Sequence, residues 1–454
     1  MSVERSGRTG YNSSKVKNVV GTTFRALRHR NFQLFFAGQF ISLTGTWMQS
    51  VAQSWLVYRL TGSVVLLGMI GFASQIPVFL LAPIGGTVAD RFNRHRILIF
   101  TQSAAMTLAF VLALLTLLGY VEIWHLFVIA AGFGVANAFD IPTRQAFAVD
   151  MVGKEDLLNA IALNSSMFNG ARIVGPAIAG ILVAAVGEGW CFLGNAVSYI
   201  AVISGLLMMN ISPKVHSRSG SALSHIAEGF RYAAATRPIR AILLLLGLVS
   251  LMGMPYAILM PVFADQYLGG GSSTLGFLMG ASGIGAVIAA LVLASRRQVF
   301  GLGRWVAVAC ASFGGALIVF SMSRSFWLSS AILVGVGFSM MTQMSSSNTL
   351  VQAMIPDHLR GRVMSLYSMM FMGLAPIGSL LAGTMAGYIG PPETVAIGGA
   401  VCIGGAFVFW LNLPRIKWQS HRMIVSMQMT GGEPASKAAF QHPVAQAESH
   451  DEVI

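Results

Sequence analysis

Apolar and polar positions alternate along the chain in long blocks. Mostly apolar runs recur, separated by short polar segments, and a helix that spans a bilayer needs about 20 such residues. Twelve runs qualify: 31–58, 64–88, 97–118, 123–145, 160–186, 190–210, 240–264, 274–294, 304–322, 326–350, 363–388 and 394–412. This pattern predicts an all-α integral membrane protein with twelve transmembrane helices. Its domains read as a basic segment 1–30, a six-helix bundle 31–211, a central polar segment 212–239, a second six-helix bundle 240–412 and a tail 413–454. The first run is the least regular. It carries Gln39, Ser42, Thr44, Trp47, Gln49, Gln53 and Trp55, and no Asp or Glu. That is too polar to face lipid, so one side of this helix should line a cavity. Gln49 and Gln53 are four apart and share a stripe.

Composition agrees. Hydrophobic residues make up 55% and charged residues 10%, with mean hydropathy +0.70, whereas soluble domains carry about 25% charged residues. A net charge of +13 invites a nucleic-acid reading, and its distribution argues against one. With twelve spans and the N-terminus inside, 26 of the 29 Lys and Arg fall in the tails and even-numbered loops. Arg59 and Arg324 fall in outside loops and Arg172 within a span. Such asymmetry is the positive-inside rule, and it predicts cytoplasmic termini. Cys191, Cys310 and Cys402 lie in or beside spans with no metal or disulfide spacing, so they read as packing residues. No phosphate-binding Walker loop, HExxH or GxSxG is present, so neither ATP hydrolysis nor an intramembrane enzyme is expected. No metal and no cofactor are expected. The tail after Pro414 mixes polar, Gly and Pro residues and reads as disordered.

Candidate chemistry concentrates in the first half. Gly85 to Arg96 reads GGTVADRFNRHR, a polar hairpin between spans two and three. Charge at the bilayer centre costs roughly 3 kcal/mol, so this hairpin sits at a membrane surface. Gly85 and Gly86 allow close helix approach, Asp90 is set among Arg91, Arg94 and Arg96, and Asn93 suits a left-handed backbone if one is needed. Span four ends in FDIPTRQAF, with Asp140 and Arg144 on one face and Pro142 kinking or ending the helix. Two readings stand: a local Asp140–Arg144 pair, or Arg144 reaching Asp90. Span five carries Gly170, Gly175, Pro176 and Gly180, either a bent helix or ordinary glycine packing. Arg172 lies about 18 Å into it, near mid-bilayer. Asn169 and Ser165 precede it at helical spacing on the same face. This arginine either receives an anionic cargo or holds a backbone carbonyl at a helix break. In the central segment Leu223, Ile226, Phe230 and Ala233 recur at helical spacing, which predicts a short amphipathic helix on the membrane surface or a solvated linker helix.

The second half repeats the first. A shift of 203 residues places six of the seven glycines between 132 and 187 on other glycines: Gly132, Gly134, Gly170, Gly175, Gly180 and Gly187 on Gly335, Gly337, Gly373, Gly378, Gly383 and Gly390. Gly is 50 of 454 residues, so chance gives about one match. The charges do not repeat: Gln343 and Ser347 replace Asp140 and Arg144, and Ala375 replaces Arg172.

The spacing G-x-x-x-D-R-x-x-R-x-R resembles the loop 2–3 signature of the major facilitator superfamily, with Asn93 where the family usually has Gly. Gly175-Pro176 with Gly170 and Gly180 resembles the fifth-helix signature of its exporters, a pattern of antiporters more than of uptake systems. LGMIGFASQIP, 67–77, and Asn159 to Asn164 point to the branch that exports enterobactin, macrolides and other drugs. The resemblance implies two six-helix repeats in the major facilitator fold. It also implies a conformational latch of Gly86, Asp90, Arg91, Arg94, Asp140 and Arg144, and a bacterial inner-membrane setting. Candidate cavity residues are Arg172, Asn169, Ser165, Gln49, Gln53 and Trp47. The expected activity is proton-coupled export of a small organic molecule (a siderophore, a macrolide or another drug-like compound) by a monomer, with protons and the bilayer as its other partners. A lipid or lysolipid flippase and a non-transporting sensor or scaffold are the alternatives.

Overall fold

The computed structural model describes residues 25–153, 155–210, 222–295 and 301–429. They form twelve long helices: span one Arg30–Thr61, two Val64–Arg91, three Arg94–Leu117, four Ile123–Val152, five Leu157–Val186 and six Glu188–Leu207. Then come span seven Arg237–Tyr267, eight Ser272–Ala294, nine Leu302–Met322, ten Phe326–Ala353, eleven Leu359–Ile389 and twelve Pro391–Met429. A linker helix, Ala222–Ala235, precedes span seven. Eleven of the twelve are long and apolar enough to cross a membrane. The twelfth is span one, whose glutamines, serines and threonines keep it out of that class. The expectations for residues 1–24, 211–221, 296–300 and 430–454 lie outside the described residues.

Two helix ends differ from expectation, both at a proline. Span four runs through Pro142 to Val152, and span twelve through Pro414 to Met429. Proline removes one backbone donor and crowds one carbonyl, which bends a helix without having to end it when flanking turns still pack. Beyond Pro142 Phe147 and Met151 are buried, and beyond Pro414 Ile416 is. The predicted tail 413–454 is therefore helical at its start. The turn just before span one is tied down as well. Ala26 N–H donates to Asn159 Oδ1 at 2.9 Å, and His29 and Arg25 both reach Asp156. The His29 hydrogen bond, with the charge of Arg25, holds the Asp156 carboxyl below the usual carboxylate range. A depressed carboxyl keeps its contacts down through mildly acidic pH and loses them only below that range.

Small residues set the helix crossings, and they do so in matched pairs. A methyl on Gly175 would lie 2.7 Å from the Thr44 carbonyl oxygen of span one, and one on Gly378 2.5 Å from the Leu251 carbonyl oxygen of span seven. Gly180 opposes Gly276 of span eight as Gly383 opposes Gly68 of span two. Gly187 and Gly390 close spans five and eleven at φ of 89° and 96°, where a side chain would be strained.

Spans one to six pack among themselves, as do seven to twelve, and the groups meet mainly where span five crosses eight and span two crosses eleven. The end of the bundle that holds Arg30 and Met429 is the terminal face. Gly68 is near the start of span two and Gly383 near the end of span eleven, so their contact is at the opposite face. Tyr58 Oη donates to Asp265 Oδ2 there at 2.9 Å, joining spans one and seven. Near the terminal face, among the described residues, the first turns of spans seven and eleven pack within their own group and on the linker helix. Contacts between the two groups thus concentrate away from the terminal face.

The second group contains wide, π-type turns at Val249–Gly253 and Phe263–Tyr267 in span seven and Met369–Gly373 in span eleven. Ser250 Oγ donates to the Phe371 carbonyl, so one irregular turn satisfies the other. The linker helix is held by a Glu228–Arg362 ion pair and by Tyr232 Oη donating to the Met354 carbonyl at 3.2 Å. Phe230 remains exposed.

Candidate functional site

The hairpin between spans two and three is organised by Arg94 rather than Asp90. Arg94 is 13% exposed. It donates to the carbonyls of Ala89 and Ala146 at 3.1 and 3.2 Å, pairs with Asp150 of span four at 3.1 Å, and meets Asp90 at 3.5 Å. Asp90 is 51% exposed, and Arg91 is exposed as well. Gly85 packs on the Ala138 carbonyl, but a methyl on Gly86 would meet nothing within 4 Å, so close approach is a property of Gly85 alone. Asn93 has φ −66° and caps span three by accepting from Arg96 N–H at 3.3 Å. No left-handed backbone is needed.

Arg144 does not reach Asp90. It pairs with Asp140, one turn back, at 3.3 Å. Such a pair closes along its own helix, whereas Asp90 sits out at the hairpin surface. Asp140 also accepts from Thr101 Oγ1 at 3.2 Å and Gln102 Nε2 at 2.7 Å, both on span three. Because span four continues to Val152, Asp140 lies about 18 Å of helix from that end and not at a surface.

Asp150 was not singled out from sequence; its only signal is an acid ten residues beyond Asp140. Removing one partner of a buried pair costs about 3–5 kcal/mol, and an exposed charge about 0–1. Asp150→Asn should therefore lower the melting temperature of the purified protein by many degrees, and Asp90→Asn hardly at all. Equal melting of the two variants would show that Arg94 does not organise the hairpin.

Between the two groups lies a cavity of about 450 Å³. Small-molecule sites run from roughly 300 to 1,000 Å³. Trp47, Gln49 and Gln53 of span one line it, with Arg172 and Pro176 of span five and Tyr256 and Ser282 of the second group. Arg172 is the one charged side chain in this lining, and no acid is present there. The guanidinium carbon sits 5.7 Å from the centroid of the Trp47 ring, a cation–π arrangement. Among the described residues none of the ion pairs includes Arg172. A methyl on Gly283 of span eight would lie 3.2 Å from the Arg172 carbonyl oxygen.

Asn169 and Ser165 are not part of this lining. Asn169 is buried and donates to the Ser165 carbonyl at 2.8 Å, and Ser165 is exposed. Gly175 fits against span one, Gly180 against span eight, and a methyl on Gly170 would meet only the Phe40 ring edge, at 3.4 Å. Span five runs unbroken through Pro176. Asn195 of span six was missed. It lines the cavity and donates to Gln49 Oε1 at 2.6 Å, fixing that amide. An asparagine within an apolar run is its sequence signal.

The arrangement can admit a polar or anionic molecule between two bodies whose contacts concentrate away from the terminal face. The family model described as transmembrane secretion effector matches residues 21–441. The staphyloferrin A transporter of Staphylococcus aureus is 27% identical over 378 residues, covering 83% of this chain and 95% of that protein. The enterobactin exporter EntS of Shigella boydii is 24% identical over 374 residues, covering 82% and 89%. Among solved structures, a POT family transporter in complex with 5-aminolevulinic acid superposes with a TM-score of 0.71 at 10% identity, covering 85% and 96%. A bacterial homologue of the iron transporter ferroportin superposes with a TM-score of 0.64 at 17% identity, covering 86% and 99%. The chain is a transporter and not an enzyme. With a family model matching nearly its whole length, it belongs to the transmembrane secretion effector family of the major facilitator superfamily.

Proposed function

We propose that this protein is a proton-driven exporter of a small anionic or neutral organic molecule of the siderophore class, working by alternating access. It acts as a monomer in the bacterial inner membrane, needs no cofactor beyond the proton gradient, and keeps both termini in the cytoplasm. The observation that carries this reading is the cavity, with Arg172 as its one charge and no acid in its lining. A cationic drug would meet a like charge there, whereas an anion would find a partner. The names of the relatives, a staphyloferrin A transporter and an enterobactin exporter, favour the same cargo class. Basic residues crowd the terminal side, which supports a cytoplasmic assignment for the terminal face. The present arrangement would then open toward the cytoplasm, ready to load. The two six-helix groups serve as the rocking bodies.

The test is flux in proteoliposomes under an imposed pH gradient, with metal-free enterobactin and metal-free staphyloferrin A as probes. Accumulation against the proton movement, collapsed by a protonophore, is expected. Flux indifferent to the gradient, or none for either probe, refutes the proposal.

A further inference from the structure

We infer that Asp140 binds and releases the coupling proton, and that the Gln102 amide turns over to hold it in either protonation state. This rests on the proton-driven reading above.

Asp140 is the one acid set deep in a span among the described residues. Asp90, Asp150, Glu155, Asp156 and Glu228 lie toward the terminal face, and Glu122, Glu188, Asp265 and Glu393 at the opposite one. Asp140 is 4% exposed. Its Oδ2 faces Arg144 at 3.3 Å, while its Oδ1 accepts from both Thr101 and Gln102. The other end of that amide, Gln102 Oε1, is buried without a hydrogen-bond partner. A buried orphan acceptor is costly and calls for an explanation. A protonated Asp140 would offer that oxygen a donor. An ionised carboxylate needs donors, and the amide offers its N–H. Once a proton adds to the carboxylate, the group becomes an O–H donor and needs an acceptor. Half a turn of the amide about its last bond puts Oε1 where Nε2 was, and Nε2 takes the site that Oε1 leaves.

The charge balance follows. One proton joins a carboxylate oxygen, Arg144 keeps its own proton, and the pair goes from neutral to a net charge of +1. A buried guanidinium without its carboxylate is unfavourable, so the protonated state favours an arrangement that gives Arg144 water or an anion. Protonation and the movement of the two bodies are thereby coupled. Deprotonation toward the other face restores the pair.

The titratable groups on the neighbouring elements are engaged elsewhere or lie apart from the Asp140–Arg144 pair. On span three, His95 stacks on Phe147 with its ring nitrogen 2.7 Å from the Leu206 carbonyl. On span six, the Tyr199 hydroxyl lies 3.5 Å from Thr46. On span four itself, Asp150 is taken by Arg94. Spans one and two bring titratable groups only near their ends, and span five brings Arg172, which sits over Trp47. In the second half the repeat places Gln343 and Ser347 at these two positions, and both are buried without a partner. That half has no acid there, which leaves a single proton site.

The experiment titrates the purified protein in lipid nanodiscs with two readouts. Difference infrared spectra report the carbonyl stretch of a protonated carboxylic acid. Spin labels at Phe92→Cys and Ser365→Cys report the separation of the two groups at the terminal face. In the parent protein the band grows on acidification and the separation changes over the same pH range. Asp140→Asn should lose the band and fix the separation at all pH values, and Asp140→Glu should restore both. Gln102→Leu should keep the band but shift its frequency, because the O–H has lost its acceptor. In proteoliposomes Asp140→Asn should lose pH-driven accumulation of metal-free enterobactin yet still exchange it at equal concentrations. An unchanged band or pH response in Asp140→Asn overturns the assignment of the proton. An unshifted band in Gln102→Leu overturns the role of the amide. Absence of pH-driven flux in the parent protein defeats the exporter reading instead, so the two failures are distinct.

Discussion

Arg172→Ala is expected to raise KM for an anionic cargo by roughly 10- to 150-fold, with Arg172→Lys retaining part of the transport. The guanidinium is held over Trp47 at 5.7 Å and has no carboxylate partner among the described residues. It is the one charged side chain lining the cavity, and an anionic cargo would pair with it. Hydrogen bonds to charged groups contribute about 1.5–3 kcal/mol, and about 1.4 kcal/mol is tenfold, which sets the size of the effect. Lysine keeps the charge but loses the planar fork and the stacking on Trp47, so its effect should be intermediate. The measurement is initial-rate flux of metal-free enterobactin in proteoliposomes. Unchanged kinetics in Arg172→Ala, or tight binding of organic cations by the purified protein, would remove Arg172 from the cargo site.

Gly276→Leu is expected to stop transport by holding the two groups apart at the face opposite the termini. A methyl at Gly276 would already come within 2.5 Å of the Pro176 carbonyl oxygen and 2.7 Å of Gly180 Cα, atoms of span five that cannot step aside. Overpacking of this kind costs about 1–3 kcal/mol. That is enough to shift a two-state equilibrium by roughly 5- to 150-fold. Under the proposed rocking of the two groups about the cavity, the terminal-face spin labels should then report the shorter separation. Gly404→Leu is the control, since a methyl there meets nothing within 4 Å. If Gly276→Leu transports at the parent rate, the crossing of spans five and eight is not a working contact.

Much of the architecture is legible in the apolar blocks, because a bilayer forces helix length and polarity to agree. Starts such as Val64, Ile123 and Phe326 fall where the polar segments end. The ends at Pro142 and Pro414 are not legible, because whether a proline stops a helix depends on what its next turns touch. The hairpin shows a similar divide. Its residue types announce a charged cluster, yet the partners follow from tertiary distance: Arg94 takes Asp150, and Arg144 takes its own neighbour. The repeat is half visible. A single offset of 203 aligns spans four and five with ten and eleven. Spans two and eight obey another offset, since Ser74 meets Gly134 as Ser282 meets Gly337, a difference of 208. A glycine count at one fixed shift misses that pair. Asn195 was missed because an amide in an apolar run gains meaning only from Gln49 across the helix contact.

The wide turns of spans seven and eleven have no counterpart in spans one and five, which are continuous α-helix. Each such turn loosens the regular hydrogen-bond ladder and lowers the resistance of that helix to bending. The two halves therefore share a repeat of glycines but not the regularity of these helices. The first, with its charges and unbroken helices, behaves as an anvil; the second carries the elastic element, clamped across its middle by Ser250 and Phe371. Amide exchange should register this division of labour as faster opening at Val249–Gly253 and Met369–Gly373 than at the matching depth of spans one and five.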